Sequence, residues 1–485
     1  MSNLRDPEEK YPAAQSPEEK LHPPLPLGLM FRLGIFQMGL GMMSVLTLGL
    51  LNRVMVSELG IPLGVTAGII AMHQFVAPAR VWFGQLSDAK PIAGVHRTGY
   101  VWLGAVFFTT IAVVAVQAMW QLGDRVAALG TWQFSDPSIQ LWVVVLGGVF
   151  VGYGFALSCS STPFAALLVD ISEEHERSKL VSIVWSMLMV GIVIGAIVTG
   201  IMLKQVGIDA ELEVIKGSLN RLFFMVPGLI LLLTLVSTWG VEQRYSRYRE
   251  RSHLSADRED QISLGRALRI LTASRQTGLF FTFLLVMSLG LFTQEAVLEN
   301  YGAEVFRMPI AETTSLNAFF GMGTLVGLGL TGFLIVPRIG KINTARLGCI
   351  LVAMALILMI LAGFNQTPEL LKGMVGLFGL ASGVTTTGAI SLMLDLTAAE
   401  TAGTFIGAWG LAQALARASA TWLGGLIKSL GDQLFSSTLA SYALVFGLEA
   451  SAMILAIGLL GRVNVREFRD KTSVAIAQVL QADMD

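Results

Sequence analysis

The sequence predicts an all-α membrane protein with twelve transmembrane helices. Three observations carry that prediction. The chain of 485 residues is 54% hydrophobic and 14% charged, whereas soluble domains carry about 25% charged residues. Its mean hydropathy is +0.67. Apolar stretches recur along its whole length, each near the ~20 residues that cross a ~30 Å hydrocarbon layer. In lipid every backbone amide must pair within its own segment, so these stretches are helices packed as a bundle.

Residues 1–26 differ in kind. They hold six prolines and acidic pairs such as Glu8-Glu9 and Glu18-Glu19, the composition of a disordered tail. They show no basic n-region and no short apolar core, so a cleaved signal peptide is not expected. Twelve spans follow, near 28–52, 62–84, 98–120, 139–166, 179–203, 219–241, 276–299, 312–336, 344–363, 369–394, 400–427 and 437–461. The tail, the even-to-odd loops and the C-terminus carry 23 Lys and Arg, against 8 in the odd-to-even loops. That bias predicts both termini in the cytoplasm. The Arg-rich linker 242–275 separates a first six-helix half, 27–241, from a second, 276–461, and 462–485 form a cytoplasmic C-terminal tail.

The halves repeat. Leu168-Val169-Asp170-Ile171-Ser172 ends the fourth span and Met393-Leu394-Asp395-Leu396-Thr397 ends the tenth, 225 residues later. At the same shift Ser160-Ser161-Thr162 matches Thr385-Thr386-Thr387. Earlier in each half, Glu58-Leu59-Gly60-Ile61-Pro62 matches Val305-Phe306-Arg307-Met308-Pro309 at a shift of 247. A 6 + 6 parallel repeat with cytoplasmic termini and a basic central loop resembles the layout of the major facilitator superfamily. Gly84-Gln85-Leu86-Ser87-Asp88 resembles the first half of that superfamily's loop motif, and Arg338-Ile339-Gly340-Lys341 the second half. Neither copy is complete, so the charged latch that the motif builds is not expected in full. Arg80 and Asp88, eight residues apart, suggest a charged cluster on this side.

Ionisable groups in mid-membrane are expensive, so each needs a reason. His73 is the one histidine deep within a span. A neutral imidazole can give a lone pair to a metal, including the magnesium of a chlorin, or it can bond a neighbouring helix. Gln37 and Gln74 offer the same two roles. Glu295 and Glu299 stand four apart and are expected on one helix face. They are candidates for proton coupling, or ordinary charges at a helix end. Arg80 and Arg417 are cations well inside spans, either snorkelling or holding a carboxylate or phosphate. Ser160, Ser161, Thr162, Thr385, Thr386 and Thr387 either line a central cavity or bond back to their own helices.

Other classes are excluded. A net charge of −1 gives no basic field for nucleic acid. The two cysteines, Cys159 and Cys349, form no metal-ligand spacing and no disulfide framework. No P-loop, nucleophile elbow or dinucleotide fingerprint is present, and the loops are too short for a catalytic domain. A non-enzymatic protein without a redox cofactor is expected.

A narrower resemblance rests on longer stretches. Phe36-Gln37-Met38-Gly39 with Leu51-Asn52-Arg53-Val54-Met55-Val56-Ser57-Glu58-Leu59-Gly60 resembles the signature of the PucC family. So do Tyr301-Gly302-Ala303-Glu304-Val305-Phe306 and the run from Phe405 to Ala414. The likeness covers about residues 30–462. It implies the branch of the major facilitators concerned with (bacterio)chlorophyll delivery and assembly of light-harvesting or photosystem complexes. It further implies a photosynthetic membrane (thylakoid or its cytoplasmic or intracytoplasmic equivalent), antenna or photosystem polypeptides and pigment-biosynthesis enzymes as partners beside membrane lipids, and chlorophyll or bacteriochlorophyll as cargo. It assigns no pigment ligand. For that the residues themselves offer lone pairs at His73, Gln37 and Gln74, and apolar planes at Trp82, Trp185 and Trp409. Three functions compete: a pigment-binding assembly factor, a proton-coupled transporter of a small amphipathic solute, and a scaffold docking through its linker and tail.

Overall fold

A computed structural model describes residues 25–207, 210–246, 275–396 and 402–463. The expected N-terminal tail up to residue 24, linker residues 247–274 and the C-terminal tail beyond Val463 lie outside the described residues. Among the described residues the chain crosses the bundle twelve times. The first half contains α1 (Leu27–Ser57), α2 (Leu63–Phe75 and Ala79–Ala89), α3 (Thr98–Leu129), α4 (Pro137–Ile171), α5 (Glu174–Met202) and α6 (Leu212–Thr238). The second contains α7 (Arg275–Phe292, resuming at Leu298–Glu304), α8 (Ile310–Ile339), α9 (Lys341–Asn365), α10 (Pro368–Leu396), α11 (Ala402–Leu434) and α12 (Thr438–Leu460). Ten are long and apolar enough to span by length and composition alone. The other two, α2 and α11, are interrupted or more polar.

Several helices outrun the apolar spans read from sequence. The 32 residues of α3 rise about 48 Å, beyond the hydrocarbon layer, because helical hydrogen bonding continues into water. Asp136 starts α4 by accepting from the backbone amides of Ser138 and Ile139. The Ser138 hydroxyl and these amides hold its carboxyl below the usual range. Gly130, at φ 73°, closes α3 in the left-handed conformation. In α2 the helix breaks at Val76–Pro78, where proline supplies no amide and crowds the preceding turn.

The repeat is visible in packing. α1 packs on α5 and α6, α3 on α4 and α6, and α2 on α4; α7 packs on α11 and α12, α9 on α10 and α12, and α8 on α10. Each pair in one half has its counterpart in the other. The loops before α2 and α8 share a conformation: Ile61 donates to the Met55 carbonyl and Met308 to that of Gly302. Gly60 (φ 65°) and Arg307 (φ 54°) both turn through the left-handed region. Glycine enters it freely; the arginine pays a small strain. Gly104 lets α3 approach Ser160 of α4, and Gly348 lets α9 approach Thr385 of α10.

Each half has its own apolar core, and the two exchange residues. Leu63 and Ala67 of α2 belong to the second core, Ile310 and Ala318 of α8 to the first. The halves meet through α2 against α11 and α5 against α8. Both contacts lie away from the face where α1 begins and α12 ends, hereafter the termini face. They involve Gly64 and Gly68 with Trp422 and Ser429, and Gly200 and Gly321 with Ala311, Ile192 and Val193. Nearer the termini face, Trp82 of α2 and Trp185 of α5 are 54% and 55% exposed.

Candidate functional site

The polar groups of the interior gather where the halves meet. Helical regularity fails there on both sides: α1 widens into a π-helical stretch at Val45–Leu50 and α7 tightens into a 3₁₀ turn at Thr293–Ala296. These segments are equivalent under the 247-residue repeat, and such irregularities often mark functional sites. The 3₁₀ turn frees the Ala296 carbonyl, which accepts from Asn52 Nδ2 of α1, while Thr66 Oγ1 of α2 donates 3.0 Å to Asn52 Oδ1. A small cleft of about 10 Å³ results, lined by Leu48, Asn52, Ile70, Gln74, Glu295, Ala296 and Thr421, with Ala67 completing its wall.

The turn also separates the two glutamates, contrary to the expectation of a shared face. Glu295 goes to α11, where Arg417 Nε and Nη2 donate at 2.9 and 2.6 Å. The guanidinium also lies 4.8 Å over the Phe292 ring. Glu299, restarted on a new helical segment, turns to α8 and α1. Its Oε1 accepts from Asn317 Nδ2 at 2.6 Å and packs against Gly49. Glu299 is 4% exposed, and its Oε2 has no hydrogen-bond partner among the described residues. So Arg417 is ion-paired rather than snorkelling.

His73 sits midway along α2, its backbone against Gly154 of α4. Its ring centroid is 6.4 Å from that of Phe150 and 6.0 Å from that of Tyr153. Nδ1 bonds the Ile70 carbonyl one turn back, so that nitrogen carries the proton. Nε2 has no hydrogen bond among the described residues, so its lone pair is uncommitted. The charged groups bearing on it are Arg417 and Arg80. Next to it, Gln74 has a buried Oε1 without a donor among the described residues; so has Gln37 of α1. Trp185 is exposed, and the Trp409 side chain lies outside the described residues.

The hydroxyl runs are placed differently from one another. Ser160 Oγ donates 2.9 Å to the Val101 carbonyl of α3, holding two helices together. Ser161, Thr385 and Thr387 donate to carbonyls one turn back. Thr162 and Thr386 are half-buried.

On the termini face, where Arg80 and Asp88 suggested a charged cluster, the two do not pair with each other. Eight residues put the two over two turns apart on α2. Asp88 pairs instead with Arg97, at the start of α3. Arg97 also donates 2.8 Å to Asp170 Oδ2 and 2.6 Å to Ser87 Oγ. Glu242 accepts from the backbone amides of His96, Arg97 and Thr98, capping α3 from beyond α6. A charged latch therefore exists in the first half despite its incomplete motif. Its arginine comes nine residues after the acid.

Sequence reading also passed over Glu449. It is an acid in the middle of α12, 2% exposed, whose Oε1 accepts from the Gln294 amide of the 3₁₀ turn. A lone carboxylate in an otherwise apolar span was the available signal.

Residues 50–468 match the family model described as PUCC protein. A relative in Rhodobacter capsulatus, named "Bacteriochlorophyll synthase 44.5 kDa chain", is 31% identical over 440 residues, covering 88% of this chain and 93% of its own. "Protein PucC" of Rhodobacter capsulatus is 27% identical, covering 89% and 91%. Among solved structures, a bacterial homologue of the iron transporter ferroportin in an inward-facing state superposes with a TM-score of 0.65 at 15% identity, covering 90% of this chain and 98% of its own. A D-xylose–proton symporter gives 0.61 at 16%, covering 89% and 96%. At such identity these structures show the fold alone, the major facilitator fold.

Proposed function

The chain belongs to the PUCC protein family, and from that premise we propose that it is a non-enzymatic factor of a photosynthetic membrane. In this reading it binds chlorophyll or bacteriochlorophyll and delivers it to light-harvesting or photosystem polypeptides. Support comes from relatives named for bacteriochlorophyll synthase and PucC and from the transporter-like body. The observation that carries the reading is His73. Its Nδ1 proton is committed to Ile70, the arrangement that presents Nε2 as an oriented ligand. Phe150 and Tyr153 give it an aromatic surround. Gln74 Oε1 and Gln37 Oε1 are further lone pairs without donors among the described residues. The cleft, at about 10 Å³, is far below the ~300–1,000 Å³ of ordinary ligand pockets. In this reading the macrocycle lies nearer the termini face, beside the exposed Trp82 and Trp185. By the Lys/Arg bias that face is cytoplasmic.

The test is pigment binding by the purified protein in lipid nanodiscs. Wild type takes up chlorophyll a with a shifted absorption band. His73→Ala lowers the affinity about tenfold or more with an unchanged melting temperature. Equal affinity in the variant removes His73 as ligand, and a protein that binds no pigment overturns the reading.

Proton-coupled transport of a small amphipathic solute is a second reading, favoured by one observation. Glu299 is buried at the contact between halves, with one carboxylate oxygen unpartnered. Proteoliposomes should then show uptake driven by a pH gradient, abolished in Glu299→Gln. No uptake of any tetrapyrrole or amphiphile under a gradient rejects it.

A further inference from the structure

We propose that the outer flank of α3 and α6 is an interface between two copies of this chain. The copies pair about a twofold axis along the bilayer normal and are joined through Gln117 and Asn220. The proposal is independent of the pigment reading above.

α6 packs on α1 and α3 and turns its other side away from the bundle, where Phe224 is 75% exposed. Such a flank meets hydrocarbon and is expected to be apolar. Two carboxamides break it. Gln117 of α3 and Asn220 of α6 are both exposed. Their depth follows from two indoles on α3. Trp102 donates 2.8 Å to Thr238 Oγ1 and stacks on Trp239; Trp120 stands 18 residues further on. That is about 27 Å of helix, near the thickness of the hydrocarbon layer, with indoles at both boundaries. Asp124 and Lys216, paired at 2.7 Å, lie one turn beyond Trp120 and Asn220, toward water. Gln117 lies nearly one turn inside the Trp120 level.

Gln117 Nε2 and Trp120 Nε1 each donate 3.0 Å to Asn220 Oδ1. An indole N–H can only donate, which fixes the orientation of the Asn220 amide, and that in turn fixes Gln117. Asn220 Nδ2 and Gln117 Oε1 are left over, and neither has a hydrogen-bond partner among the described residues. An unused donor and an unused acceptor on side chains facing hydrocarbon are costly. Side by side, they complement themselves. Under a twofold axis the Asn220 donor of one copy meets the Gln117 acceptor of the other, and the reverse bond forms with it. Gly217 and Gly228 of α6 are exposed, with nothing within 4 Å of where a Cβ would stand, so a second backbone can come close. Arg221, the neighbouring exposed cation, is long enough to reach water at the same boundary.

Among the described residues the equivalent flank of the second half has no such bonded pair. At the 244-residue shift that matches Gly104 with Gly348, Gln117 falls on Leu361, which is 56% exposed and shares its flank with Ile350, Met354 and Ile357. On α12 the exposed Ser451 donates to the Gly447 carbonyl of its own helix. A single self-complementary patch on one half closes a dimer rather than building a chain.

The experiment counts labelled subunits by single-molecule photobleaching in liposomes, over a dilution series of protein in lipid. Wild type is expected to pass from dimer to monomer on dilution. Gln117→Leu removes the acceptor and leaves the bond from Trp120 to Asn220. It should raise the dissociation constant of the dimer about tenfold or more, with an unchanged melting temperature. Leu361→Ala, on the equivalent flank, should leave the dimer as tight as wild type. A wild type that stays monomeric at every density overturns the proposal, whichever lipid or other polypeptide covers the flank instead. So does a Gln117→Leu protein that dimerises as wild type does, or a Leu361→Ala protein weakened as much as Gln117→Leu.

Discussion

Replacing Arg97 by Ala is expected to destabilise the first half by about 3–5 kcal/mol, the loss typical when one partner of a buried charge pair is removed. The side chain is 6% exposed and joins Asp88 of α2 to Asp170 of α4. It also bonds Ser87. Its removal leaves Asp170, itself buried, without that compensation. The position is already pinned by Glu242, which accepts from three consecutive amides at the head of α3, so the backbone cannot easily relax to admit water. Thermal unfolding in detergent, followed by tryptophan fluorescence, reads the effect. Arg97→Lys should recover part of the loss, since a lysine keeps the charge but not the fork of donors. Lys216→Ala removes a more exposed pair with Asp124 and should cost less than about 1 kcal/mol. A loss at Arg97 no larger than that at Lys216 would show that the latch contributes nothing to the folded state.

The twelve crossings and the repeat were legible because lipid leaves few alternatives. Apolar length, Lys/Arg bias and two matched loops are each direct consequences of the solvent. The structure extends the match at 247 residues down to single hydrogen bonds before α2 and α8. The latch was harder to read. The motif's missing basic residue is replaced by Arg97, which the turn at Ile92–Val95 brings back to α2. Sequence spacing carries no trace of that return. His73 was marked by its position alone, but which nitrogen it offers depends on the rotamer that turns Nδ1 to the Ile70 carbonyl of its own helix, which spacing does not disclose. The two glutamates defeated periodicity for a local reason. A regular helix would align positions four apart; the 3₁₀ turn at Thr293–Ala296 rotates one from the other. Glu449 went unread because the span looked apolar on average.

That rotation sets up the remaining prediction. Glu295→Gln and Arg417→Gln are each expected to destabilise the protein, and the double variant should recover most of the loss. The coupling energy should be about 2–3 kcal/mol in a double-mutant cycle. Each single change strands one member of a bidentate pair between α7 and α11. Stranding Arg417 also puts an uncompensated cation beside His73 and Arg80. The double change removes both charges from a medium where holding them is costly, so a neutral pair of similar shape is tolerated better than either half. The cycle separates the two roles open to Glu295. A carboxylate that carries protons must leave its partner during turnover. Its loss would then abolish gradient-driven uptake, and the second substitution would not restore it. A carboxylate that serves to close α7 on α11 gives back stability and pigment binding together once Arg417 is neutralised. Both its oxygens are engaged by Arg417, with Phe292 beneath the guanidinium, which favours the second outcome; Glu299 and Glu449 each keep a carboxylate oxygen without a partner among the described residues.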